Sequence, residues 1–219
     1  MSELLRKVCG LTRPEDVALC HELGADLTGF IFAEKSPRRL KPETVAALPK
    51  GPSLRVGVFA GADSSAVLKA ARLADLDLIQ LHGGEDPAFC RFVGPERVIK
   101  TLWPEGLSPE ALALELERFA PVCAYFLLDA GLSGGGSGNR LAWESLARVS
   151  FPKPWLLAGG LGPKTLLPAL AACAPGGVDM NSALERSPGL KDHALLCRAF
   201  ALLSHTTGPK AGHTPEACE

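Results

Sequence analysis

Leu27-Thr28-Gly29-Phe30-Ile31-Phe32 is the stretch that decides the fold. It is near-continuously apolar, without the alternation of a half-exposed strand. A run of this kind is a strand buried on both faces, the habit of parallel sheets. Working outward, the same pairing of apolar run and helical stretch recurs along the chain. Upstream, Val8-Cys9 precedes a helix expected over Pro14–Leu23, with Thr12 as N-cap, Pro14 in the first turn and Gly24 as the stop. Downstream of Phe32 a helix is expected near Pro42–Leu48. Strands then fall at Leu54–Phe59, Asp77–Leu81, Arg97–Leu102, Tyr125–Asp129, Trp155–Ala158 and Val178–Met180. Helices fall between and after them at Ser64–Leu73, Pro87–Val93, Pro109–Phe119, Ala142–Val149, Pro163–Cys173 and Asp192–Leu203. This order predicts an α/β chain folded as a single (β/α)8 TIM barrel over residues 1–205. Residues 206–219, rich in small and polar side chains, are expected to be a flexible C-terminal tail. A doubly wound open sheet is the alternative. It calls for a GxGxxG turn after the first strand, and none is present there.

Composition narrows the class of function. The chain has 219 residues, 47% of them hydrophobic, and a net charge of −1 with no basic cluster. That argues against nucleic acid and against an anionic membrane surface as partners. No apolar run is long enough to cross a bilayer, and residues 1–7 lack the pattern of a signal peptide. The seven cysteines are scattered without a CxxC pair, and the five histidines have no metal-ligand spacing. A cytoplasmic protein with no disulfide framework, no metal and no cofactor is expected, monomeric or homodimeric.

The chemistry sits at the strand ends. Lys7-Val8-Cys9-Gly10 ends on a thiol and Tyr125-Phe126-Leu127-Leu128-Asp129 on a carboxylate. In a parallel barrel the strand C-termini form the catalytic face. A thiolate takes a proton and a carboxylic acid gives one, so the pair suggests proton transfer on a small molecule. Alone, Cys9 reads better as a buried core thiol, and it is the rest of the chain that reverses this. Ala158-Gly159-Gly160-Leu161-Gly162-Pro163 and Asp179-Met180-Asn181-Ser182-Ala183 follow the seventh and eighth strands, where barrels often hold phosphate. Glycines let backbone N–H groups approach an anion closely. Ser36-Pro37-Arg38-Arg39 follows the second strand, where an arginine can grip a carboxylate with its planar fork, although two adjacent arginines on a loop are more often solvated surface. His82 ends the fourth strand at the same rim. The run Ser133–Gly138 reads as a mobile loop over the site.

Taken in order, these motifs resemble one family. They are Lys7–Thr12, Gly29–Phe32 with Ser36-Pro37-Arg38, Val56–Phe59, Gln80–Gly83, Leu127–Asp129, Gly135–Gly138 and Leu157–Leu161, closed by Ser182, Glu185 and Pro188–Asp192. The resemblance is to phosphoribosylanthranilate isomerase of tryptophan biosynthesis and covers about residues 6–203. It implies an aldose–ketose (Amadori) isomerisation of N-(5-phosphoribosyl)anthranilate. It implies Asp129 as general acid and Cys9 as general base. Arg38 would hold the anthranilate carboxylate, and Gly159, Gly160 and Ser182 the phosphate. His82 would line the pocket and Asp179 lie near the sugar. A nearby cation, Lys7, is expected to favour the Cys9 thiolate. Two departures stand out. Ala183 replaces a family glycine, a strain if that position needs positive φ. Leu141 stands where the family prefers an aromatic. Two other readings remain open at this stage: a related barrel isomerase of histidine biosynthesis, and a non-catalytic barrel that binds a phosphorylated ligand.

Overall fold

The computed structural model describes residues 4–129 and 143–207. Eight parallel strands close into a barrel in chain order: β1 (Leu5–Val8), β2 (Leu27–Ile31), β3 (Leu54–Phe59), β4 (Leu78–Leu81), β5 (Val98–Leu102), β6 (Tyr125–Leu128), β7 (Trp155–Leu157) and β8 (Gly177–Met180). β1 pairs with both β2 and β8, so the sheet has no edge. The open-sheet alternative is thereby excluded. Around the barrel lie α1 (Pro14–Glu22), α2 (Pro42–Ala46), α3 (Ser64–Leu73), α4 (Pro87–Val93), α5 (Pro109–Phe119), α6 (Trp143–Leu146), α7 (Leu166–Cys173) and α8 (His193–Thr207).

Burial explains why the strands lack alternation. Their outward residues, among them Val8, Phe30, Phe59, Ile79, Leu81, Phe126, Leu128 and Val178, pack under the helices in one large cluster. Their inward residues Leu27, Val56, Leu78, Ile99, Leu127, Leu156 and Ala158 form a second cluster that fills the lumen, with Tyr125 packed against it. Both faces are dry, so both are apolar. Above that plug the inward positions turn polar: Lys7, Gln80, Thr101 and Asp179 are all buried. The next inward residue up four strands is Cys9, His82, Asp129 or Asn181, at the mouth.

Several expectations need correction. Thr12 does not cap α1. Arg13 holds the N-cap position, and Thr12 Oγ1 donates to the Gly189 carbonyl instead. α7 begins at Leu166 rather than Pro163, because Gly162–Thr165 forms a turn tied by Thr165 Oγ1. α8 continues past Leu203 to Thr207. After β8 comes a 3-10 turn over Ser182–Leu184 and an antiparallel hairpin, β9 (Glu185–Ser187) with β10 (Leu190–Lys191), which the sequence reading did not anticipate. Cys9, Cys20, Cys90, Cys123 and Cys173 are free thiols. The glycine-rich run 133–138, Leu141 and the tail from residue 208 lie outside the described residues. Among the described residues no helix is long and apolar enough to cross a membrane.

Candidate active site

Cys9 follows β1 on its inward side. Its N–H donates to the Met180 carbonyl across the β1–β8 seam at 2.9 Å. The register that pairs Lys7 with Leu27 and Val8 with Thr28 sets Cys9 beside Gly29. A β-carbon on Gly29 would stand 2.8 Å from the Cys9 sulfur, so the thiol is seated against a strand that lacks a side chain there. Gly10, at φ +71°, turns the chain sharply after the thiol, and a β-carbon on it would collide with Asn181 Oδ1 and Arg38 Cδ. Glycine at both positions is what lets Arg38 and Asn181 close over the end of β1.

Lys7 favours the Cys9 thiolate, as expected, but other causes outweigh it. Burial pushes the Cys9 pKa up; Lys7 and Lys191 pull it down, while Asp179 adds to the rise. The net direction is upward, so the resting group is a thiol. Lys7 is present as expected, but its ammonium also donates to Asp179 Oδ2 at 2.7 Å, and both side chains are nearly or fully buried. Burial lowers the Lys7 pKa, yet Asp179 and Cys9 together more than offset it, and Lys7 stays charged.

Asp129 follows β6 on the other side of the mouth, its backbone N–H donating to the Leu102 carbonyl. His82 Nε2 lies 3.6 Å from Asp129 Oδ2. On its far edge, His82 Nδ1 is 3.2 Å from both Gln80 Nε2 and Thr101 Oγ1. Trp103 meets the imidazole edge-on, ring centres 5.2 Å apart. Burial depresses the His82 pKa, so the ring is neutral at pH 7.

Arg38 lies at the mouth, but it is already clasped. Its Nε lies 2.9 and 3.0 Å from the two Glu185 carboxylate oxygens, and Nη2 donates to Oε2 at 2.6 Å. Glu185 also accepts from Lys191 Nζ at 2.9 Å and from the Gly189 N–H. Burial raises the Glu185 pKa, but Arg38 and Lys191 outweigh it and hold the carboxyl below its ordinary range. The clasp takes the Nε edge of the guanidinium. The Nη1–Nη2 edge is left to meet a second carboxylate as a fork. Glu185 was part of the sequence pattern, but nothing in one sequence tied it to an arginine so far upstream. Arg39, by contrast, is half exposed and pairs with the exposed Glu34, at 3.5 Å.

Gly159 and Gly160 have φ of +100° and +67°, so the glycines after β7 are required by backbone conformation. Ser182 opens the 3-10 turn after β8, next to that loop. Ala183 is not in the positive-φ region, and the expected strain is absent. Its methyl instead fills the space over Gly162, where a β-carbon would stand 2.9 Å away. Asp179, expected near the sugar, has one oxygen committed to Lys7. Its Oδ1 is buried and has no hydrogen-bond partner. A cleft of about 770 Å³ also opens between β2, β3 and their following helices, floored by the stacked rings of Phe32 and Phe59, and Arg39 lines it.

Fold and site together define a (β/α)8 barrel enzyme, with a thiol and a carboxylate facing each other across the mouth from the C-terminal ends of two strands. Residues 6–201 match the model of the N-(5'-phosphoribosyl)anthranilate (PRA) isomerase family, and the chain belongs to that family. It is 47% identical over 206 residues to the N-(5'-phosphoribosyl)anthranilate isomerase of Desulfovibrio desulfuricans, covering 94% of this chain and 98% of that one. The crystal structure of phosphoribosyl anthranilate isomerase from Thermotoga maritima superposes with a TM-score of 0.81 at 30% identity, over 93% of this chain and 99% of that one. A solved isomerase in complex with reduced 1-(o-carboxyphenylamino)-1-deoxyribulose 5-phosphate matches with a TM-score of 0.76 at 28% identity, over 92% of this chain and 99% of that one.

Proposed function

We propose that the chain is an N-(5'-phosphoribosyl)anthranilate isomerase acting in tryptophan biosynthesis. Its product is 1-(2-carboxyphenylamino)-1-deoxyribulose 5-phosphate. The observation that carries this reading is the inward placement of Cys9 and Asp129 at the ends of β1 and β6, around one mouth that also holds the Arg38 fork and the Gly159-Gly160 loop. The solved relative bound to a reduced form of that product is consistent with it.

The chemistry follows from the groups. Asp129, protonated, gives its proton to the furanose ring oxygen as the C1′–O bond breaks. The nitrogen lone pair moves in to form a Schiff base. Cys9, as thiolate, removes the C2′ proton, and the electron pair flows toward nitrogen to give an enolamine. Tautomerisation of the enolamine yields the ketone. Arg38 holds the anthranilate carboxylate on its free Nη1–Nη2 edge. Backbone groups at Gly159, Gly160 and Ser182 hold the phosphate, which keeps both ends of the substrate fixed while the sugar opens. His82 packs beside Asp129 and shapes the pocket wall. No step calls for a metal, nicotinamide or flavin. A cytoplasmic location and a monomer or homodimer fit the same reading. A dimeric isomerase is described from Thermotoga maritima.

The test is purified protein mixed with freshly generated phosphoribosylanthranilate, following the loss of its fluorescence. Turnover that is unchanged by EDTA is expected. Well-folded protein without turnover would overturn the assignment.

A further inference from the structure

Cys9 has an unusual set of neighbours for a group that must act as a base. Directly below it in the lumen, Lys7 and Asp179 face each other across the β1–β8 seam, in register. Their contact is 2.7 Å, and neither carries more than marginal exposure. Lys7 is one cation with two anionic claimants, the Asp179 carboxylate and the Cys9 sulfur. The other charges near the thiol come from elsewhere: Lys191 on β10 and Arg38 in the loop after β2. Both are bonded to Glu185, which neutralises one of the two positive charges. From β2 itself only Gly29 and Ile31 face the sulfur, and neither titrates.

We propose that Lys7 and Asp179 are positioning residues for proton removal at Cys9: the Lys7 ammonium supports the thiolate, and the Asp179 carboxylate, by sharing that ammonium, limits how often the thiolate forms. The proposal rests on the reading of Cys9 as the base. Its physical content is a competition. A buried ammonium must have an anion beside it, because an unpaired buried charge is costly. In the resting molecule Asp179 supplies that anion and the sulfur can keep its proton. When Cys9 ionises, the same ammonium stabilises the thiolate from within the lumen, where water cannot. A thiolate formed against this competition is a stronger base than one made plentiful by an undivided cation, which suits removal of a carbon-bound proton. Burial pushes the Cys20 thiol up to about 12 against the pull of Lys191, with Asp16 adding to the rise, and it is inert at any working pH.

The two residues act with opposite sign, and a purely structural role would not produce that. The test is alkylation of Cys9 by iodoacetamide across a pH series, with modification at Cys9 quantified by peptide mass spectrometry in the full-length protein. Alkylation follows the thiolate, so the midpoint of the rate–pH curve reports ionisation, while its plateau reports access. Asp179→Asn keeps the shape and removes the competing charge. Its midpoint is expected to fall by about one pH unit or more. Lys7→Met is expected to move the midpoint up by a similar amount. The acidic limb of the kcat/KM profile should follow the alkylation midpoint in each variant. Lys7→Met leaves Asp179 buried without its cation, a change that can prevent folding. In that case Asp179→Asn decides alone, and a midpoint that stays put or rises overturns the proposal. With both variants folded, shifts in the same direction overturn it as well. A failure of the base assignment itself would appear elsewhere, as a Cys9→Ala protein that keeps its turnover.

Discussion

Gly29→Ala tests the site at its tightest point. The added β-carbon would stand 2.8 Å from the Cys9 sulfur, 3.0 Å from its Cα and 3.2 Å from its Cβ. Comfortable contacts between such atoms lie at about 3.5–4.0 Å. The shortfall is therefore about 0.5–1 Å, and because one of the three atoms is backbone, a rotamer change cannot relieve it. The end of β1 must move, and the thiol with it. A displacement near 1 Å at a reacting group costs about 10²-fold in rate, so kcat is expected to fall by roughly that factor. Overpacking should also cost about 1–3 kcal/mol of stability. In a domain of this size each kcal/mol lowers Tm by about 2–4 °C. KM should barely change, because the groups proposed to hold the substrate, Arg38 and the glycine loop, follow β2 and β7 rather than β1. Steady-state kinetics by fluorescence loss, paired with thermal unfolding, measure all three quantities. A variant with kcat within threefold of the parent and an unchanged Tm would refute the claim that Gly29 is the seat of the thiol.

Other expectations follow from the same geometry. Cys9→Ala and Asp129→Asn should each keep the fold, by circular dichroism, and each lose about 10²-fold or more in kcat; near-normal turnover in both would refute the assigned acid and base. Arg38→Ala should cost about 2–3 kcal/mol of substrate binding, roughly 30- to 150-fold in kcat/KM and mostly through KM, while Arg39→Ala should be nearly silent; the reverse pattern would show the wrong arginine had been chosen. Acid should weaken the fold through two buried carboxylates. Burial raises the pKa of Asp16, but hydrogen bonds from Arg13, His193 and the Lys191 N–H lower it further, and Glu185 is lowered in the same manner by Arg38 and Lys191. A carboxylate with a depressed folded pKa adds stability that is full above its unfolded pKa of about 4 and is lost as pH falls through the folded value. Thermal unfolding from pH 7 to pH 3 should therefore show a loss below about pH 4 that is smaller in Asp16→Asn; an equal loss in that variant would exclude Asp16 as a contributor.

The barrel was legible because every strand is dry on both sides, and dryness is written into composition. Leu27–Phe32 shows it, with Phe30 facing the helices and Leu27 the lumen. The glycines at 159 and 160 were legible for a second reason: a turn that needs positive φ has few other ways to be built. What remained hidden depends on contacts between distant parts of the chain. Arg38 could be chosen as a carboxylate grip, yet its clasp by Glu185 spans 147 residues. Lys7 could be seen beside Cys9, but not that Asp179, 172 residues on, claims the same ammonium. The β9–β10 hairpin was missed because its strands are very short and carry Glu185, Arg186 and Lys191 rather than an apolar run. Gly29 offered a signal that went unread, since a glycine within a strand marks a close approach of another group.

The long reach of the Lys7–Asp179 pair bears on how the chain is made. Synthesis runs from the N-terminus, and Lys7 leaves the ribosome long before β8 exists. Until Asp179 emerges, Lys7 has no partner for burial, and an ammonium without one resists leaving water. Arg38 waits in the same way for Glu185. The first strand should thus be slow to leave water, and the mouth that carries Cys9 should be assembled late. A nascent chain stalled before β8 should keep its N-terminal segment hydrated and open to proteases, and the barrel should close in one late step as the final quarter arrives.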